Sequence, residues 1–348
     1  MGVVQTVLGP VRPEHLGRIM HHEHLLSLVP GPWLAGGPRP GASHEDEGAG
    51  EKDELVALAV SALRGLPALG IGTVVDLSPY GVVGRDADGN NVALLRRISR
   101  ETGLHIVAGT AVYLEAYSPR WAVDADLNSM TERFLRDAVD GIGASGVQAG
   151  VFGEQATSLD QITAHEEKCL RAAIRAQRES GLGLTTHTTH GSMALEQVDI
   201  LRQERADLSR VVIGHLDTHP SLDYVREVAR TGVSIAFDTI GKQNWDFFLE
   251  PEPANRPDGE FVRLAYHQSD STRAARIAAL VHEGHLDQIL LAQDLTGAEV
   301  YLNPSTHGQS GYSYLGGRFT TMLLELGVTE EQVDTMLRAN PARLLATV

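Results

Sequence analysis

Ile71-Gly-Thr-Val-Val-Asp-Leu77 is a short run of β-branched and apolar residues, fenced by Gly70 before it and by Ser78-Pro79-Tyr80-Gly81 after it. The segment upstream has a different period: Leu55, Leu58, Ala59, Ala62, Leu63 and Leu66 recur at helical spacing and turn one apolar face toward a sheet. A one-faced helix feeding a strand that is apolar on both sides is the building unit of a parallel sheet covered by helices. The unit recurs along the chain. His105-Ile-Val-Ala-Gly-Thr110, Val147-Gln-Ala-Gly-Val-Phe-Gly153, Leu182 to Thr186, Val211-Val-Ile-Gly214, Val233-Ser-Ile-Ala-Phe237 and Ile289-Leu-Leu-Ala292 read as further strands, with a first one near Gly17 to Met20. About eight strands alternating with helices predict a (β/α)8 TIM barrel, an α/β fold of about 250 residues before insertions.

The chain has 348 residues, so the surplus must sit in loops. Pro30 to Lys52 has too many Gly, Pro and charged residues to pack as a regular element, and Asn244 to Asp270 and Thr296 to Gly317 follow the seventh and eighth strands as further insertions. We read residues 1–348 as a single barrel domain with rim insertions near 30–52, 244–270 and 296–317, all on the C-terminal face, where barrel active sites are built. Trp33, Trp245, Phe247 and Phe248 lie in these insertions, either as an apolar wall for a substrate or as anchors for the loops. Thr163 with Glu166 three residues on predicts a capping box, opening a helix that ends at Gly181. Cys169 falls on the apolar stripe of that helix with Ala173 and Ile174, as a small core residue does.

Twenty-nine basic against 45 acidic residues leave a net charge of -16, which repels nucleic acid and acidic membranes alike. The single cysteine provides neither a disulfide framework nor a cysteine-bound zinc. No stretch approaches the about 20 apolar residues of a spanning helix. These features fit a cytoplasmic protein whose partner is a small-molecule substrate.

The residues that can carry chemistry stand where the expected strands end. His22 and His24 alternate with Glu23, so both imidazoles can face the barrel axis while Glu23 and His21 point away. Glu154, His187, His215 and Asp294 close four other strands. In a barrel such positions converge on one face, which would gather four histidines and two carboxylates around one small volume. That inventory suits two divalent metal ions, Zn first and Mn, Co or Fe as alternatives, with a carboxylate bridging them and a shared water as nucleophile. His282 and His285 precede the last strand and belong to the opposite face, while His190 and His219 flank ligand words, either supporting the ligands from behind or lying in loops.

With their flanking words, these residues carry a family resemblance. His22-x-His24, Glu154 in AGVFGEQATS, His187 in TTHTTHGSMALEQ, His215 in VVIGHLDTH and Asp294 in LLAQDLT resemble the ordered metal motifs of the phosphotriesterase family in the amidohydrolase superfamily. The likeness runs from TVLGPV near the start to Asn340-Pro-Ala-Arg-Leu-Leu345 near the end. It implies that His22, His24 and Asp294 bind the more buried metal, that His187 and His215 bind the more exposed one, and that Glu154 bridges them. Many members use a carboxylated lysine at the bridge; Glu154 resembles the variant in phosphotriesterase homology and phosphotriesterase-related proteins, and Lys168, in the next helix, does not replace it. The resemblance also implies a homodimer.

The function expected from this is hydrolysis of a lactone or carboxylic ester by a metal-bridging hydroxide, with Asp294 collecting the proton. Phosphotriesters and N-acyl amides are alternatives for the same centre, and a catalytically silent, metal-stabilised binding protein is the alternative of another class. Tyr113 resembles a tyrosine that lines the site of family lactonases, or packs the rim. Lys242 follows the seventh strand where those lactonases carry arginine; it is either a point charge for an anionic substrate group or a solvated loop lysine.

Overall fold

The computed structural model describes residues 2–27, 49–242, 247–249, 265–296 and 311–347. Two short antiparallel strands, β1 (Val4–Thr6) and β2 (Gly9–Val11), precede the main sheet. Seven parallel strands follow: β3 (Arg18–Glu23), β4 (Ile71–Asp76), β5 (His105–Thr110), β6 (Val151–Thr157), β7 (Gly183–Thr188), β8 (Val211–Ile213) and β9 (Ser234–Phe237). A hairpin of β10 (Phe247–Leu249) and β11 (Ala265–His267) comes before β12 (Ile289–Leu291), which pairs with β9 and completes an eight-stranded sheet. Between the strands lie α1 (Ala49–Leu63), α2 (Leu94–Thr102), α3 (Arg120–Asp124), α4 (Leu127–Val139), α5 (Ala164–Ser180), α6 (Ala194–Gln203), α7 (Leu222–Arg230) and α8 (Asp270–His282). The chain ends on α9 (Thr320–Glu325), α10 (Glu330–Asp334) and α11 (Asn340–Leu345).

The first and last strands of the sheet meet just beyond β12, and this seam closes the barrel. Asp294 N–H donates to the His22 carbonyl and His24 N–H to the Leu295 carbonyl, each at 3.0 Å. The buried Glu23 carboxylate accepts from the backbone N–H groups of Gln293 and Leu295, both at 2.9 Å. Burial pushes the Glu23 carboxyl well above the usual carboxylate range, and its two backbone bonds tie β3 to the chain just after β12.

Inside the barrel, Ile19, Val75, Val107 and Val151 pack with Leu345 of α11, and Val212, Ala236 and Leu290 pack with Leu344. Helix α11 therefore plugs the mouth where the strands begin. The fit is close: a Cβ on Gly183, the first residue of β7, would come within 2.6 Å of the Leu344 carbonyl oxygen. Outside the barrel, Leu55, Ala59 and Leu63 of α1 bury against Met20 and Val74. Thr163 and Glu166 form the expected capping box of α5, and Gly181 ends the helix at φ 75. Cys169 is buried, and burial pushes its thiol up to about 12. Among the described residues, no helix is long and apolar enough to cross a membrane.

Several boundaries differ from the sequence reading. The fourth barrel strand starts at Val151, four residues later than expected, so Glu154 sits within β6 and not at its end. The cause is local: Ile142 N–H bonds to the Val147 carbonyl and Ala149 N–H to the Asp137 carbonyl, which ties 147–149 to the end of α4. The first strand extends past Met20 to Glu23 and includes His22. The expected insertions are partly regular: α1 begins inside 30–52, the β10–β11 hairpin occupies part of 244–270, and residues 313–317 are helical. Trp33 and Trp245, and the side chains of Phe247 and Phe248, lie outside the described residues.

Two buried arginines fasten the loops at the C-terminal mouth. Arg85 bonds to Asp76 and to the Gly109 carbonyl, both at 3.0 Å. Arg273 of α8 reaches Asp217 after β8 at 2.7 Å, the Thr239 hydroxyl after β9 at 2.7 Å, and Asp270 at 3.1 Å. Arg273→Ala leaves Asp217 as an uncompensated buried charge and is expected to cost about 3–5 kcal/mol. Urea unfolding measures it, and a loss under about 1 kcal/mol, the scale of an exposed pair, contradicts the assignment.

Candidate metal centre

The expected side chains meet at the open mouth of the barrel. His22 lies near the end of β3 and His24 just beyond it; Glu154 is central in β6, and His187 is the next-to-last residue of β7. His215 and Asp294 follow β8 and β12 with left-handed backbones, at φ 58 and φ 49, which turn their side chains back over the barrel. Non-glycine residues in that region carry strain that the surrounding structure must hold in place. Here the Asp294 N–H is held by β3 and the His215 N–H by a carboxylate, described below.

Glu154 is the hub. Its Oε2 lies 3.1 Å from His187 Nδ1, 3.3 Å from His215 Nε2 and 3.4 Å from His22 Nε2, and its Oε1 lies 3.5 Å from His24 Nε2. Asp294 Oδ1 is 3.0 Å from His24 Nε2 and 3.6 Å from His22 Nε2. All six residues expected from the sequence are therefore brought together.

The far nitrogen of each ring is also occupied. His24 Nδ1 bonds to the Ser78 hydroxyl at 3.1 Å, and His187 Nε2 to the Thr189 hydroxyl at 3.2 Å and to the Tyr113 hydroxyl at 3.4 Å. His22 Nδ1 and His215 Nδ1 both bond to Asp238, each at 2.9 Å. A neutral imidazole donating on its far side turns a lone pair toward the centre, as metal ligation needs. Asp238 was not in the sequence reading. Its signal was position: it follows Phe237, the last residue of β9, just as other site residues follow their strands, but that strand end was read only for a substrate group.

Tyr113 is buried and meets a site histidine through its hydroxyl. Lys242 is not a solvated loop residue: its Nζ is 2.8 Å from Asp294 Oδ2, and its side chain is only 19% exposed. Lys168 is far from this chemistry, donating to the carbonyls of Ala122, Val123 and Ala125. His219 stacks on Tyr224 at 4.1 Å, and His285 bonds to Gln288.

Charge is strongly coupled across this volume. Burial pushes the Glu154 carboxyl up, but His22 and His187 more than offset it and hold it well below the usual carboxylate range. Burial likewise lowers His22, yet Glu154 and Asp238 raise it to about 10; His215 is raised well above its ordinary value for the same reason, chiefly by Asp238. Burial pushes Asp294 up, but Lys242, His24, His22 and His215 together hold it below the usual carboxylate range. His187, buried beside His215, is lowered.

Two trios of these atoms lie within 4.8 Å of one another and could each hold an ion: His22, His24 and Glu154, and Glu154, His187 and His215. His22 Nε2 is a buried nitrogen without a hydrogen-bond partner among the described residues, aimed at carboxylate oxygens. Such an orphan is costly unless it has a function, and an imidazole–carboxylate donor set fits a divalent transition metal. A third trio, His22, His215 and Asp238, consists of short hydrogen bonds already made.

The family model for the phosphotriesterase family matches residues 2–345. A phosphotriesterase homology protein of Escherichia coli is 31% identical over 255 residues, 73% of this chain and 79% of its own. An N-acetyltaurine hydrolase of Danio rerio is 28% identical over 371 residues, covering 99% of this chain and 98% of its own. Among solved structures, a variant of an organophosphorus hydrolase from Deinococcus radiodurans superposes with TM-score 0.79 at 31% identity, over 98% of this chain and 97% of that one. A variant of a PTE-like lactonase from the same organism gives TM-score 0.77 at 32% identity, over 98% and 99%.

The raised histidines predict how metal uptake depends on pH. With His22 titrating at about 10 and His215 also raised, both rings carry an extra proton at pH 7.5 in the metal-stripped protein. Ligation through Nε2 must expel that proton. Zinc added at pH 7.5 is therefore expected to release protons into a weakly buffered indicator solution, with apparent affinity rising as pH climbs toward 10. Uptake without proton release contradicts these charge states.

Proposed function

This chain belongs to the phosphotriesterase family, and from that premise we propose that it is a binuclear metal-dependent hydrolase acting on a lactone or another carboxylic ester. The observation that carries the reading is Glu154, whose two oxygens lie within 3.1 to 3.5 Å of nitrogens on four histidines, each ring held by a second partner. His22, His24 and Asp294 would hold one ion and His187 and His215 the other, with Glu154 shared. When bound, the pair supplies a Lewis acid for the scissile carbonyl and a water acidic enough to attack it near neutral pH.

The side chains add the rest. Asp294 divides its oxygens, Oδ1 toward His24 and Oδ2 toward Lys242. A carboxylate so placed can face the ligands with one oxygen and take a proton on the other. Lys242 keeps Asp294 ionised and stands 2.8 Å from it, within reach to pass a proton onward. Tyr113 fixes the ring plane of His187 from the rim. Support for a carbonyl substrate comes from the likeness to a lactonase at 32% identity over 98% of this chain.

The Asp294–Lys242 pair also favours a second reading, hydrolysis of an N-acyl amide. An amine leaves only after it is protonated, and an ammonium next to the proton-collecting carboxylate supplies that step. The relatives named N-acetyltaurine hydrolase, aligned over 99% of this chain, support the same reading.

Proton release is to be followed with zinc-loaded protein on lactones, aryl esters, N-acyl amides and phosphotriesters. Turnover of lactones or esters is expected; turnover of amides alone selects the second reading, and silence across all four with metal bound leaves a binding protein. Asp294→Asn is expected to lower kcat on the order of 10²–10⁴-fold on the active substrate, the range of general acid–base catalysis. Near wild-type turnover with metal retained removes Asp294 from proton transfer. Lys242→Met is expected to depress amide turnover more than ester turnover, and equal losses count against proton delivery by Lys242.

A further inference from the structure

Asp238 lies beneath the centre, wholly buried, and its two oxygens have different duties. Oδ1 accepts from both the backbone N–H and Nδ1 of His215, at 2.9 Å each; Oδ2 accepts from Nδ1 of His22 at 2.9 Å. His22 belongs to the trio with His24, and His215 to the trio with His187. One carboxylate thus fixes the far-side proton of one histidine in each half.

We propose that Asp238 is the positioning residue that makes the centre binuclear, by locking His22 and His215 in the same tautomer at once. The inference rests on the two-ion reading above and deepens it. It follows from donor and acceptor counts. A carboxylate offers acceptors on both sides, so both rings can donate from Nδ1 and turn Nε2 lone pairs toward Glu154. An asparagine offers an acceptor oxygen on one side and only N–H donors on the other. Its oxygen must stay on the His215 side, where two donors converge, because the reverse orientation sets an amide N–H₂ against a buried backbone N–H. Its N–H₂ then faces His22 Nδ1, which can only accept. The His22 proton moves to Nε2, which faces Glu154 Oε2 at 3.4 Å. One amide N–H then satisfies His22 Nδ1, and His22 no longer has a lone pair for a metal.

Asp238→Asn should therefore fold and hold one zinc per chain where the wild type holds two, keeping the half built by His187 and His215 with an affinity within about tenfold of the wild type. Asp238→Ala removes both acceptors and should weaken both halves by about 10–100-fold, the usual cost of losing a ligand's outer partner. A purely structural role predicts no such difference between the variants. Equilibrium dialysis with zinc counts the ions, and nitrogen-15 spectra of labelled histidine locate the ring protons. His22 Nδ1 should carry a proton in the zinc-loaded wild type and none in Asp238→Asn. Two tightly held ions in Asp238→Asn, or none, overturn the tautomer lock; fewer than two in the wild type overturn the binuclear reading beneath it. Should Asp238→Asn fail to fold, the zinc-loaded wild type decides: Nδ1 protons on both His22 and His215 support the lock, and an Nε2 proton on either refutes it.

Discussion

A carboxylate buried to 2% exposure at the mouth of a barrel is the constraint around which this molecule is arranged. Taking Glu154 out of water costs several kcal/mol unless opposite charge or good donors surround it. Four imidazoles do so, and they come from three different strands or strand ends: β3, β7 and β8. No local stretch of chain could deliver them. Only a closed parallel sheet brings the end of β3 beside the ends of β7 and β8, and closure depends on the seam where Glu23 and the His22 and His24 backbones meet residues 293–295. The seam and the centre share residues, so the barrel closes at the point where its chemistry is assembled.

A second buried anion repeats the logic from below. Asp238 would also be expensive to bury alone, and it is held well below the usual carboxylate range because His215 and His22 outweigh its desolvation. Asp238 thus holds both rings at Nδ1, and both turn Nε2 toward Glu154. Rings fixed on the far side with the near nitrogen facing a shared carboxylate have the preorganisation that a metal site requires. The loops carrying His215 and Asp238 are in turn tied to α8 through Asp217, Thr239 and Arg273, so the support reaches from the axis to the outer helical layer.

The barrel and the six side chains of the centre were legible in the sequence because each rests on a periodic or positional signal. Strand runs such as His105–Thr110 stand between polar fences, and five of the six site residues follow or end such runs. Glu154 was found at the wrong place in its strand because Val147 to Ala149 look like a strand by composition, while their hydrogen bonds go to the end of α4. Asp238 was missed for a different reason: a carboxylate that orients ligands has the same appearance in sequence as one that caps a strand. Lys242 was left between two readings since its partner, Asp294, lies 52 residues away and only closure of the barrel brings them together. The β10–β11 hairpin carries too little local pattern to separate it from a loop.

The side chains that could hold metal and those of the rim come from different parts of the chain, but they are not cleanly separated. The groups of the centre sit inside strands or within a few residues of their ends, where the sheet fixes them. Tyr113 and Lys242 belong to loops, where sequence is freer to vary. Yet Tyr113 touches His187 and Lys242 touches Asp294, so each loop ends on a member of the centre. A change that reshapes either loop is felt at once by the ring plane of His187 or by the charge on Asp294. The rim loops and the six residues of the centre are therefore coupled by direct contact, and a change in one is transmitted to the other.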